Sequence, residues 1–155
     1  GQLLFVAEPV YFIQTPDTVW MMWERDHIVR RIHMNREHGK DVKPSWFGES
    51  VGHYENGDTL VIDTIGLNTK TFVDAYRTPH SDKLRVVERW RLIEDKKAME
   101  VIFTVTDPEA FNEPWTAMRR YRRVQQEPIE QICEENNIVN LFDDLFLYPL
   151  VLSVL

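Results

Sequence analysis

The chain predicts a mainly β fold, an antiparallel barrel or a sandwich, and three observations carry that prediction. Short runs rich in Val, Ile, Thr and aromatic residues recur along most of its 155 residues, each bounded by turn-forming residues. Several of these runs alternate between apolar and polar side chains, the signature of a strand with two different faces. Helical spacing of apolar residues is confined to the end of the chain, at Ile138, Leu141, Phe142, Leu145 and Phe146.

Taken in order, residues 1–7 show no useful period, and Val10–Gln14 reads as a strand closed by Thr15-Pro16-Asp17. Residues 19–25 read as extended and apolar on both faces, with Val19, Met21 and Trp23 opposite Trp20 and Met22, as in a buried strand. Asp26-His27 forms a turn into a partner strand over 28–34, with Arg30 expected to point outward; 35–43 is a polar loop holding His38 and Gly39. Residues 50–55 and Thr59–Ile65 flank Asn56-Gly57, the clearest hairpin signal in the chain. Residues 67–83 lack alternation and contain Pro79-His80-Ser81-Asp82, a long loop. Residues 84–93 form the best strand, and Glu88 falls among Leu84, Val86, Trp90 and Leu92 on one face. Glu94-Asp95-Lys96-Lys97 makes a polar hairpin tip before a strand over 99–106, which Asp107-Pro108 ends. Strands over 115–124 and 129–133 complete the body. Residues 1–137 thus read as one barrel-like domain of lipocalin-like or calycin-like form. Residues 138–155 read as an apolar tail, helical or irregular, that packs on the domain or on a partner.

The Asn56-Gly57 turn decides which side chains share a face. A two-residue turn would set Glu55 opposite Asp58, an unfavourable like-charge pair. A three-residue loop with Gly57 left-handed avoids that pairing and brings His53 onto the same face as Asp63.

Composition narrows the function classes. The chain is 43% hydrophobic and 28% charged, with formal net charge −7, so general binding to a phosphate backbone is not expected. The local basic run Arg119-Arg120-Tyr121-Arg122-Arg123 reads as a strand with a solvated edge. A single cysteine, Cys133, followed by Glu134-Glu135, is neither half of an intrachain disulfide nor a favourable setting for a thiolate. The tail is too short and too acidic for a membrane span. Gly48-Glu49-Ser50-Val51-Gly52 leads into a strand rather than a helix, which excludes a nucleophile elbow.

Several segments resemble a large family of exported, β-rich bacterial proteins. They are Ile13-Gln14-Thr15-Pro16, Arg30-Arg31-Ile32, and the run through Pro44, Trp46, Gly48, Ser50, Gly52 and His53. The likeness continues with Gly57-Asp58-Thr59-Leu60-Val61-Ile62-Asp63-Thr64, Pro79-His80-Ser81, Val86-Val87-Glu88-Arg89, Pro114-Trp115-Thr116 and Cys133 with Glu135-Asn136. The resemblance implies a β-rich fold and a periplasmic or extracellular location, but no particular activity. It also implies a cysteine in a longer N-terminal region as partner for Cys133. Beyond Asn137 the sequence departs from the family.

The side chains suggest two kinds of chemistry. Glu88 on an apolar face, with Asp63 and His53 nearby and His80 delivered by the long loop, would suit a cofactor-independent isomerase, dehydratase or cyclase. Alternatively Glu88 pairs with an arginine such as Arg119 or Arg120 across neighbouring strands. His53-x-Glu55 with His80 or Asp63 offers only a loose metal set, and neither metal nor cofactor is expected. Trp46, Tyr54, Trp90, Phe103 and Trp115 could line the mouth of a barrel where one small molecule fits. The leading expectation is therefore binding of a small, largely apolar molecule. The acid–base enzyme is the alternative, and a structural subunit or homo-oligomer docking through residues 138–155 is the third.

Overall fold

The computed structural model describes residues 9–24 and 28–125. The expected turn at Asp26-His27, the strand at 129–133, Cys133 and the tail at 138–155 lie outside the described residues. Eight strands follow one another: β1 (Val10–Gln14), β2 (Thr18–Trp23), β3 (Val29–Met34), β4 (Glu49–Glu55), β5 (Thr59–Ile65), β6 (Arg85–Ile93), β7 (Ala98–Thr106) and β8 (Trp115–Arg122). They form one sheet in sequence order, with β1 and β8 as its edges, curled into a half-barrel. The fold is mainly β, as expected.

Six of the seven pairings are antiparallel, and β3 with β4 is parallel. A parallel neighbour requires a crossover, which residues 35–48 supply without any helix. That loop starts at Asn35, left-handed at φ 55°, whose N–H donates to the Gly52 carbonyl at 2.7 Å. It is tied down by Ser45, which accepts from Asn68 N–H and donates its own N–H to Gly66 O, both at 2.9 Å. It ends at Gly48, φ 64°, where a Cβ would lie 2.3 Å from the Ile65 carbonyl oxygen.

The β4–β5 hairpin has the expected three-residue loop. Glu55 pairs with Thr59, and both Asn56 (φ 52°) and Gly57 (φ 76°) are left-handed. Val51 opposes Asp63 and His53 opposes Val61, so His53 and Asp63 do share a face. It is the outer, convex one.

The concave face is built in rows that follow from the registers. One row runs Ile32, Ser50, Thr64, Val86, Val105, Trp115; the next runs Met34, Gly52, Ile62, Glu88, Phe103, Ala117; a third runs Tyr54, Leu60, Trp90, Val101, Arg119. Val19, Met21, Ile32, Ile62, Val86, Val101 and Val105 are buried there, closing the concavity into a packed core over most of its length. Arg30 was expected to point outward, and this is corrected: it is 5% exposed. Strand period explains it, because Ile32 and Met34 are buried and Arg30 lies on their face. Its charge argued for the surface, but alternation decided the face.

The long loop before β6 is an ordered element packed by Leu67, Val73 and Leu84. His80 Nδ1 donates to the Ser81 carbonyl at 2.7 Å, and its Nε2 meets the Thr71 hydroxyl at 2.7 Å. Asp107 anchors the same loop by accepting from Ser81 N–H and Ser81 Oγ, each at 2.7 Å, and from the N–H groups of Glu109 and Ala110. Burial alone would raise the Asp107 carboxyl, but these donors outweigh it and hold it below its ordinary value.

Two glycines give a test of this backbone. Gly57 has open space where a Cβ would go, so Gly57→Ala should cost only the left-handed penalty of about 1–2 kcal/mol. Gly48→Ala adds a collision with backbone and should cost clearly more in urea unfolding. Equal losses would mean that the crossover does not close against Ile65 as described.

Candidate functional site

Glu88 is 1% exposed on β6, an interior strand of the sheet. Burying an unpartnered carboxylate there would be costly, since low dielectric disfavours an uncompensated charge. Arg30 reaches across the concavity from β3, its Nη2 2.6 Å from Glu88 Oε1. The contact is ionic rather than a well-directed hydrogen bond. Arg30 is itself held by Ser50, which accepts from Nε at 3.1 Å, and by Thr64, which accepts from Nη2 at 2.6 Å. The two hydroxyls lie 2.9 Å apart in the same row. Four neighbouring strands thus contribute to one buried polar cluster.

The cluster ends on Trp90. Its indole N–H donates to Glu88 Oε2 at 2.9 Å, which fixes the orientation of the ring. Around that ring, Phe12 from β1 and Phe103 from β7 approach edge-on, at 5.5 and 6.4 Å between centroids, and Tyr121 from β8 stacks at 5.6 Å. Burial pushes the Tyr121 hydroxyl above its ordinary value, with Arg119 opposing that shift and Glu88 adding to it.

Beyond this aromatic group the sheet does not close, and two clefts open. The larger, about 490 Å³, lies between β1 and the β6–β7 hairpin with the end of β8; Val10, Phe12, Leu92, Ala98, Met99 and Tyr121 line it. The smaller, about 220 Å³, is lined by Gln14, Tyr54, Leu60 and Trp90 and shares Phe12, Leu92 and Met99 with its neighbour. Tyr54 donates its hydroxyl to Gln14 Oε1 at 2.7 Å, joining β4 to β1 across the smaller cleft.

The expected acid–base residues are not brought together. Ile62 opposes Glu88, so Glu88 faces inward with Ile62 while the adjacent Asp63 faces outward. On the outer face Asp63 takes two close contacts from Arg85, Nε to Oδ1 at 2.9 Å and Nη2 to Oδ2 at 2.6 Å. His38, from the crossover, lies 3.6 Å from Asp63 and 3.8 Å from Glu49. His53 is exposed, 3.6 Å from Glu55, and His80 is buried in its loop. The sheet therefore separates Glu88 from Asp63 and His53. Glu88 does pair with an arginine, but the partner is Arg30 rather than Arg119 or Arg120. Arg120 instead contacts Glu100 at 3.0 Å, and the Arg119 guanidinium lies over the Tyr121 ring at 5.4 Å.

The expected aromatic lining divides in the same way. Trp90 and Tyr54 line the smaller cleft, and Phe103 is buried behind Trp90. Trp46 is on the crossover, 52% exposed, and Trp115 packs on Phe111 at the opposite end of β8 from Tyr121. Sequence reasoning missed Phe12, Leu92, Met99 and Tyr121 as lining residues. Leu92 and Met99 were recognisable by alternation with Trp90 and Val101, but Phe12 comes from a strand distant in the chain.

Among the described residues, no group of three or more His, Cys, Asp and Glu side chains is disposed to hold a metal ion, and no helix is long and apolar enough to cross a membrane.

Removing one partner of the buried pair should be costly. Arg30→Met or Glu88→Leu alone should each lose about 3–5 kcal/mol in urea unfolding, because a buried charge is left uncompensated. The double variant should recover most of that loss, and additive losses would contradict the pairing.

Comparison of the chain with known families, curated proteins and solved structures finds no match in any of the three.

Proposed function

We propose that the protein binds a small, largely apolar molecule in the cleft between β1, the β6–β7 hairpin and the end of β8. The observation that carries this reading is the larger cleft itself, about 490 Å³ and walled by Val10, Phe12, Leu92, Ala98, Met99 and Tyr121. A volume of this size lies within the range of about 300–1,000 Å³ usual for small-molecule sites. Its wall is preorganised: Phe12 and Tyr121 rest on Trp90, and Glu88 holds Trp90 in place. A ligand then meets a surface already ordered, and less side-chain entropy opposes binding. Leu92 is 51% exposed, so its burial by a ligand would be favourable.

An acid–base enzyme is less well supported. Both Glu88 oxygens are already engaged, Asp63 and His53 lie on the other face of the sheet, and His80 is held by Thr71 and Ser81 within its own loop.

Leu92 borders both clefts and is half exposed, so Leu92→Glu introduces a charge there with little cost to the fold. Titration calorimetry with 1-decanol as probe should show binding by the unmodified chain and a loss of at least about tenfold in Leu92→Glu, which corresponds to about 1.4 kcal/mol. Unchanged affinity in the variant would remove the cleft from consideration.

A further inference from the structure

The charged residues of the larger cleft are all of one sign. Among the described residues, Lys96, Arg122 and Arg123 line it and no aspartate or glutamate does, while the chain as a whole carries net charge −7. A lip of three cations on an acidic protein is a local departure from the average surface. Among the described residues, none of the three side chains is ion-paired with a carboxylate. The backbone that carries them is tied together. The Arg123 N–H donates to the Lys97 carbonyl at 2.8 Å, which ties the end of β8 to the tip of the β6–β7 hairpin. In that tip Glu94, Asp95 and Lys96 are all left-handed, at φ 51°, 52° and 67°, closed by Lys97 N–H to the Glu94 carbonyl at 3.0 Å. The smaller cleft differs, because Asp58 lines it beside Arg91 and offsets the positive charge.

We propose that the ligand is a single-chain amphiphile with a carboxylate head, its chain in the apolar cleft and its head at the lip formed by Lys96, Arg122 and Arg123. This rests on the reading that the cleft takes an apolar molecule, and it adds the class of that molecule. The apolar wall accounts for the chain. The three cations account for the head, because none of them has a carboxylate partner among the described residues, and an anion held there gains attraction without displacing one of those. Since the three side chains are exposed, the attraction is screened by salt and gives preference rather than extreme affinity.

Titration calorimetry on the full chain with decanoate, 1-decanol and decyltrimethylammonium, at matched ionic strength, separates head from chain. Decanoate should bind about five- to tenfold tighter than decanol, as expected for a few exposed charge contacts, and the ammonium compound weaker than both. Combined Arg122→Gln and Arg123→Gln should bring decanoate close to decanol while leaving decanol unchanged, with the unfolding midpoint as the control for folding. Equal affinity for decanoate and decanol, or a double variant that keeps the preference, would overturn the carboxylate head and leave apolar binding standing. Failure of a folded chain to bind either compound would overturn both.

Discussion

The contact on which the rest of this structure depends is the ion pair between Arg30 and Glu88. Two charges buried on the concave face of a sheet cost more to desolvate than their attraction alone returns, unless further hydrogen bonds complete the pair. Here Ser50 and Thr64 accept from the guanidinium, and Trp90 donates to the carboxylate. These groups sit on β3, β4, β5 and β6, and they meet only if all four strands keep their register. A slip of one residue in any of them would turn a member of the cluster to the opposite face and strand a buried charge. The pair thus adds to the register penalty that the buried apolar residues already impose, since a slip would expose them and strand the charge together.

The same pair leads to the open end of the sheet. Glu88 orients Trp90, and Trp90 supports Phe12 and Tyr121, residues from the two edge strands. The edges β1 and β8 do not pair by hydrogen bonds, and the larger cleft lies in the gap left between them. The parallel β3–β4 pairing serves this arrangement. Its crossover runs through residues 35–48 and leaves the concave mouth uncovered by any connection between those two strands.

Much of the fold was legible in the chain, and the reasons are local. The bounds of β1 and β5 follow from alternation and turn residues, and the like-charge argument at Glu55 and Asp58 led to the correct hairpin loop. Glu88 was recognisable as an odd carboxylate on an apolar face. Its partner was not, because Arg30 reaches it from a strand separated by β4 and β5, and no local period encodes that meeting. The grouping of Glu88 with Asp63 failed for a related reason: which face of β5 meets which face of β6 is set by their register, and Ile62 rather than Asp63 opposes Glu88. Two of the five expected aromatics, Tyr54 and Trp90, border the smaller cleft, because alternation along a strand identifies a face. It does not identify the end of the strand at which a cleft opens, and so Trp115 was assigned to the mouth and Phe12 was missed.

The measurement that bears most directly on this account is the methyl NMR spectrum of methionine-labelled protein during a titration with decanoate. Met99 lines both clefts, whereas Met118 is 57% exposed on the outer face and Met21 is fully buried in the core. If the ligand enters the cleft, the Met99 methyl shifts saturably while those of Met118 and Met21 stay in place. A saturable shift at Met118 with none at Met99 would contradict the central claim and move the binding surface to the other side of the sheet.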